Sequence, residues 1–496
     1  MSRVFPAGAA LLILAAALAL RCWHIANWPL WLDESWSRWM TEQSWSGLWH
    51  AASGYDTHPP FYYSLLKAWT GIAPSTPFWL RFPSLIASLL MLPLAWACAG
   101  QIGALRRAPG ARIIAVMLIA VSPPLIVAAG QARPYALLAL AFGIALWAGI
   151  RLLRTPTPTP TWRIWLVYLL GIEATLWLHS LAALFVVALG VGLLLAMANA
   201  ATLRAHWMKW IGVHALAGLL WLPGFLVLLE QRRNWGASSW LTFSFGDVAP
   251  GLAVGLAGGG LAFLLVVFVW LGARNLLRDG EDRPAAILLL CAAFLPVALT
   301  ILVSALFSPI FLPRTLVPSV LPVLLLAASA FTAMDRRRIP AFATLAALAT
   351  ILLLIPALDH ARSDPEEKWP ALGAWLAPRV GPSEELWLLP NEIALPFRYG
   401  AGPTRYAFRG IPADFPAPDH PGPRPSGSRA VVAMTSADAR RLVTDARRRG
   451  LTGIWIVTRF PRLFDPGRTI QAAFAEESRD VRDLRFAPLI VDHYRL

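Results

Sequence analysis

Long apolar runs recur from Val4 to about Pro356, and each is long enough to cross a hydrocarbon core about 30 Å thick. A bilayer is the only solvent that can hide so much continuous apolar surface. Candidate spans fall at 4–22, 79–100, 112–129, 134–153, 162–179, 181–199, 208–230, 250–273, 284–307, 309–334 and 339–358, about eleven in all. Composition agrees, with 57% of the 496 residues apolar and 14% charged. The expected class is an α-helical polytopic membrane protein.

The formal charge of +15 raises the question of nucleic acid, but its distribution answers it. Basic residues gather at the ends of apolar runs and in the C-terminal tail, as membrane orientation and anionic headgroups require. No nucleic-acid partner is expected. Cys22, Cys98 and Cys291 lie far apart and are odd in number, so no disulfide framework is available. The first run follows Arg3 and ends at Arg21-Cys22-Trp23-His24 without a small-residue cleavage site, which reads as a retained signal anchor.

With the N-terminus in the cytoplasm, the inside connections hold Arg106, Arg107 and Arg112; Arg151, Arg154 and Arg163; Arg204 and Lys209; Arg274, Arg278 and Arg283; and Arg336, Arg337 and Arg338. Outside connections of similar length are poorer in basic residues, with Arg232 and Arg233 the main exception, so the positive-inside rule favours this orientation in the inner membrane. Two segments then face outward: the first loop, 24–78, and the tail, 359–496. Residues 1–358 form the expected membrane domain.

Trp28, Trp31, Trp36, Trp39, Trp45 and Trp49 crowd the first loop, which is expected to form short amphipathic helices lying on the membrane surface. The tail reads as a small α/β domain. A capped helix is expected from Asp364 to near Gly381, strands at 385–389, 430–433, 453–457 and 489–494, and helices from Ser436 and near Ile470. The Pro/Gly-rich stretch from Gly410 to Ser428 is an irregular loop.

Chemistry is sought in the outward segments. Asp33 and Glu34 are adjacent carboxylates among aromatics, directly after the first span. Such groups serve as a general base toward a sugar hydroxyl or as ligands for a divalent cation, and the spacing equally fits a solvated pair or helix-terminal charge. Asp56 and His58 precede a rigid Pro59-Pro60 turn that fixes their direction, either for chemistry or as simple capping. Arg133 and Arg314 begin spans on the outer side, where orientation does not call for a cation. Guanidinium suits a phosphate, while snorkelling or pairing with a structural carboxylate is the plainer role. His179 sits at an outer turn, and Glu173 is an acid inside a span.

These residues resemble a family, the GT-C superfamily of integral-membrane glycosyltransferases, in the group related to protein O-mannosyltransferases and lipid A aminoarabinose transferases. The likeness rests on Asp33-Glu34, Asp56-x-His58-Pro59-Pro60, Gln131-Ala132-Arg133-Pro134-Tyr135 and Pro313-Arg314 in this order. It implies a polyprenyl-phosphate-linked sugar donor and inverting transfer to an extracytoplasmic acceptor, a cell-envelope glycan, lipid or protein. By that resemblance Asp33 is the base or acceptor-orienting carboxylate, with Glu34 and Asp56 supporting it. His58, Arg133, Tyr135, His179 and Arg314 are the donor-phosphate and substrate-binding candidates. Thr315 stands where relatives often carry tyrosine. No cofactor is assigned, and a divalent cation is left open. A transporter or lipid flippase for envelope precursors is the alternative, although its ionisable groups would sit near the midplane of repeated halves.

Overall fold

The computed structural model describes residues 7–154, 161–199, 206–235, 241–259, 264–333, 339–474, 479–483 and 486–496. Arg3, Arg204 and Arg336, Arg337 and Arg338 of the sequence analysis lie outside these residues. The chain divides into two compact units. One comprises Met1–Ala26, Phe78–Leu226 and Phe243–Ser363; the other comprises Asn27–Pro77, Val227–Thr242 and Asp364–Leu496.

The first unit is a helical bundle, and the chain is a multi-pass membrane protein. Among the described residues, five helices are long and apolar enough to cross a membrane, or seven if each bent pair counts as one span. They are Pro77–Gln101, Tyr135–Leu153, Arg283–Leu306, Pro313–Ala333 and Pro340–Arg362, with the bent pairs Pro109–Ala120/Pro123–Ala129 and Trp207–Leu220/Leu222–Arg233. Shorter apolar helices include Ala7–Cys22, Ala182–Ala198 and Val248–Ala257. Every expected span contains helix, but 250–273 is two helices, Val248–Ala257 and Leu265–Arg278, and not one. Gly258 ends the first of these in the left-handed conformation, at φ 85°. Leu11, Leu12, Leu348 and Ile351 stay exposed, as lipid-facing side chains should.

The span expected at 112–129 bends by 47° before Pro123-Pro124. Such a break frees carbonyls that lipid cannot satisfy. Buried Arg21 supplies the donors, reaching Ala120 O at 2.7 Å, Ile119 O at 3.1 Å and Ser88 Oγ at 2.9 Å. Ser88 in turn donates to Leu125 O at 2.8 Å.

At one end of this unit, Asp282 accepts from the backbone N–H groups of Gly103 and Ala104, the first turn of the short helix Gly103–Arg107. Arg107 pairs with Glu281 at 2.7 Å in the same place. Two of the basic connections thereby meet.

The second unit is built on a five-stranded sheet. Its strands are β1 (Glu384–Leu389), β2 (Ala407–Gly410), β3 (Gly453–Arg459), β4 (Arg479–Asp483) and β5 (Leu489–Arg495), in the order β2-β1-β3-β5-β4. The two pairings of β1, with β2 and with β3, are parallel, and β5 runs antiparallel to β3 and β4. Period-two alternation gives the sheet two apolar faces. Leu386, Leu388, Trp455 and Val457 pack under the helix Trp369–Leu376, while Trp387, Leu389, Ile454 and Ile456 pack under Ser436–Arg448.

Three expectations for this unit are corrected. The helix expected from Asp364 begins at Trp369, because Pro370 takes its first turn and Glu367 turns to other partners. Residues 430–433 are buried but form no strand; their backbone bonds go to the Asn391 side chain, which donates to Ala430 O at 3.0 Å and accepts from Val432 N at 3.3 Å, and to the neighbouring loop, where Ala433 N donates to Pro423 O at 2.9 Å. The first loop does form short helices, Leu32–Glu42, Trp45–Tyr55 and Pro60–Thr70. Trp36 and Trp39, however, are buried, each with its ring against Phe415, at centroid distances of 5.0 and 5.1 Å. Packing against the tail takes these two rings, while Trp45 and Trp49 stay exposed.

Candidate functional site

In the second unit, Asp33 and Glu34 occupy the first turn of the helix Leu32–Glu42. Carboxylates are favoured there by the helix dipole. The two are not equivalent. Glu34 is fully buried and reaches back to the Trp31 N–H at 3.4 Å, the bond of a capping residue. Asp33 remains partly exposed.

Asp56 ends the helix Trp45–Tyr55, and its carboxylate is heavily engaged. It accepts from Tyr63 Oη, from Thr57 N at 2.6 Å and from His58 N at 3.3 Å, and lies 3.3 Å from His58 Nδ1. The His58 carbonyl accepts from Gln231 Nε2 at 2.8 Å. Both residues are buried, so the Asp56-x-His58-Pro59-Pro60 segment is a rigid turn that fixes the imidazole.

The other candidates belong to the first unit. Arg133 is buried between the helices Pro123–Ala129 and Tyr135–Leu153, and its carbonyl accepts from Ser84 Oγ at 3.3 Å. Tyr135 and His179 come together, with ring centroids 5.8 Å apart, and His179 Nδ1 accepts from the Leu181 N–H at 3.1 Å. Tyr135 and Arg314 line one cavity of about 670 Å³, along with Gln131, Asp359 and His360. Arg133 and His179 are not among its lining residues.

Its walls depend on close backbone approach. A Cβ on Gly255 would stand 2.5 Å from Pro313 O, the residue before Arg314. The volume suits a ligand of lipid-headgroup size, in the range of ordinary binding pockets. The lining is mainly apolar, and its polar groups are the Arg314 guanidinium, the Tyr135 phenol, the Gln131 amide, the Asp359 carboxylate, the His360 imidazole and the Ser363 hydroxyl: a cavity for an amphiphile with a polar end.

Sequence reasoning passed over Asp359 and His360. The signal was present, since an acid and an imidazole stand side by side at the end of the last apolar run. Also unforeseen is a buried cluster in the second unit, where Glu392 accepts from Trp36 Nε1 at 3.3 Å and Glu367 pairs with Arg459 at 2.8 Å. Burial pushes the Glu392 carboxyl up to about 7 against the pull of Arg459, and raises Glu367 as well. Among the described residues, no three His, Cys, Asp or Glu side chains converge into a set that could hold a metal ion.

No known protein family's sequence profile matches the chain, and no curated protein sequence matches it. Solved structures do. ArnT from Cupriavidus metallidurans in the apo state is similar over 98% of both chains, with a TM-score of 0.66 at 15% identity. The same protein bound to undecaprenyl phosphate matches over 99% of this chain and 98% of that one, with a TM-score of 0.56 at 14% identity. The archaeal oligosaccharyltransferase AglB from Archaeoglobus fulgidus, in complex with an inhibitory peptide and a dolichol-phosphate, matches over 95% of this chain and 72% of its own, with a TM-score of 0.57 at 12% identity. At such identities the likeness speaks for architecture, and it runs through the membrane bundle and the C-terminal sheet alike. The chain has the fold that these solved structures share.

Proposed function

We propose that this protein is a glycosyltransferase that moves a pentosyl or hexosyl unit from a polyprenyl-phosphate carrier to an extracytoplasmic acceptor, with inversion at the anomeric carbon. The observation that carries this reading is the match of nearly the whole chain to a structure with undecaprenyl phosphate bound. The cavity holding Arg314 and Tyr135 supports it, because a polyprenyl phosphate is an amphiphile with an anionic end.

In this reaction an acceptor hydroxyl attacks the anomeric carbon, the bond from that carbon to the phosphate oxygen breaks, and polyprenyl phosphate leaves. Asp33 takes the hydroxyl proton; its partial exposure leaves it open to an incoming acceptor. Glu34 holds the helix end that carries Asp33, and Asp56 holds His58. Arg314 and Arg133 meet the phosphate, whose charge grows as the bond breaks, so fixed cations lower the barrier most there, and His58 is a candidate for binding substrate. Tyr135 and His179 shape the donor pocket. The basic connections that meet at one end of the bundle support a cytoplasmic N-terminus in the inner membrane, with the first loop and residues 359–496 outside.

The test is sugar release from a panel of polyprenyl-phosphate sugars by the purified protein in lipid, with wild type and Asp33→Asn side by side. Turnover of one donor, lost by a factor of about 100 or more in the variant, is expected of a general base. A variant that turns over normally removes Asp33 from that role. No turnover with any donor moves the assignment to transport of lipid-linked precursors.

A further inference from the structure

A cavity of about 300 Å³ lies within the second unit, over β3 and β5. Its floor follows from strand periodicity and register. Thr458 pairs with Ile490 and Ile456 with Asp492, so these four side chains share one face with Tyr494. The helix Ser436–Arg448 covers that face over Ile454 and Ile456. Toward Thr458 the segment 461–471 takes over, and it supplies Pro461, Arg462, Asp465, Pro466, Arg468 and Gln471 to the lining. The segment is held by its own bonds. Asp465 accepts from Thr469 N and Thr469 Oγ1, each at 2.7 Å, and from Ile470 N at 3.2 Å, while Phe464 O accepts from Met434 N at 2.8 Å. Phe460 at φ 49° and Arg468 at φ 50° bracket it, and among the described residues they are the two non-glycine positions in the left-handed region. Such backbone persists where the surroundings over-determine it, and it gathers at ligand sites.

The polar groups of this lining are ready for a ligand. Thr458 is only 7% exposed, yet its hydroxyl makes no hydrogen bond among the described residues, whereas buried hydroxyls ordinarily find a partner. Arg462 and Arg468 are exposed, and neither forms an ion pair or a side-chain hydrogen bond among the described residues. The half-buried Gln471 amide is equally unengaged there. Asp492 stands in the floor at 4% exposure, with Arg482 of β4 opposite it in register. A carboxylate has room for about four donors, so it can take a ligand donor beside others. Donors and acceptors thus surround one small space. A bare phosphate offers acceptors only and meets the Asp492 charge unfavourably, whereas each sugar hydroxyl both donates and accepts. Ile456, Ile490 and Tyr494 suit the C–H face of a ring. Ligand pockets run from about 300 to 1,000 Å³, and the low end fits one ring better than a chain.

We propose that this cavity is a binding site for a single sugar residue. Thr458 and Asp492 hold ring hydroxyls at the floor, and Arg462, Arg468 and Gln471 hold others at the opening. That the sugar belongs to the acceptor rests on the transferase reading above; that the site takes a sugar does not.

The experiment is saturation-transfer NMR on the full-length protein in lipid, with the methyl glycosides of glucose, galactose, mannose, rhamnose and N-acetylglucosamine, which reads binding without turnover. At least one is expected to bind with a Kd on the order of 1 mM, the affinity open to so small a ligand. Thr458→Val removes the hydroxyl at nearly constant shape and should weaken binding about threefold to tenfold, with Thr458→Ser restoring it. Arg468→Asn removes an exposed cation while tolerating the left-handed backbone, and should weaken binding to a similar degree. If Thr458→Val fails to fold, Arg468→Asn alone carries the test. Arg314→Ala alters the cavity of the first unit and should leave the Kd unchanged, which locates the bound sugar. The proposal is overturned if none of the glycosides binds, if Arg468→Asn and a folded Thr458→Val both bind as wild type does, or if inorganic phosphate displaces the sugar at equal concentration, which would make this an anion site. Sugar binding without turnover of any polyprenyl-phosphate donor defeats the transferase reading and leaves this site standing, whereas turnover without sugar binding defeats this inference alone.

Discussion

Glu392 links a single proton to the stability of the fold. Its carboxyl is raised from an ordinary 4.5 to about 7, so the folded protein holds that proton more tightly than the unfolded chain. The stabilisation this gives is full below about pH 4.5 and is lost as pH rises through 7. By linkage it amounts to roughly 3 kcal/mol. Thermal unfolding in lipid should therefore show wild type losing Tm between pH 5 and 8 relative to Glu392→Gln, which has no proton to lose. Parallel curves for the two proteins would mean that Glu392 ionises as it would in water. Nothing in the sequence around Glu392 announces this, because its environment is made by Trp36 and Arg459, which lie on a distant helix and on another strand and are not its neighbours in sequence. Asp33 and Glu34 were legible because they are adjacent, acidic and set among tryptophans. Their division into an exposed acid and a buried cap was not, since it depends on which side of a helix each faces.

At the scale of elements, local pattern sufficed wherever an element buries its own continuous apolar run. The strands β1, β3 and β5 and the long spans are of this kind. β2 is a four-residue edge strand, and β4 reads Arg-Asp-Val-Arg-Asp, so neither carries an apolar run that would announce a strand. Residues 430–433 have the opposite problem, a strand-like run whose backbone bonds go to Asn391 and to the neighbouring loop. The break in the span at 112–129 could be read from Pro123-Pro124, but its repair could not, because Arg21 arrives from a helix about a hundred residues earlier. Arg21→Met keeps the apolar stem and leaves the Ala120 and Ile119 carbonyls unsatisfied. A loss of about 2 to 5 kcal/mol is expected, as for removing one partner of a buried charged network. It would be measured as a lowered Tm in lipid, with Arg21→Lys restoring part of it. An unchanged Tm for Arg21→Met would show that the freed carbonyls find other donors.

For the whole molecule, the number of apolar runs and the basic connections foretold a polytopic bundle, and the fold bears that out over nearly the full chain. The cavity was not foretold, because it needs Pro123, Tyr135, Gly255, Arg314 and His360 from five separate stretches of sequence. Its proposed occupant supplies a test that is independent of turnover. A ligand that binds only the folded state stabilises it by about 2.7 kcal/mol at a hundredfold excess over Kd, so undecaprenyl phosphate should raise Tm in a concentration-dependent way. Arg314→Ala removes a cavity guanidinium and should abolish most of the shift while leaving the unliganded Tm close to wild type, since that side chain is only partly buried. Asp33→Asn should retain the shift, because the proposed base acts on the acceptor and not on the carrier. An Arg314→Ala protein stabilised as much as wild type would take the carrier phosphate away from this cavity. Loss of the shift in Asp33→Asn instead would assign that carboxylate to donor binding, and the division of labour between acids and guanidiniums would have to be redrawn.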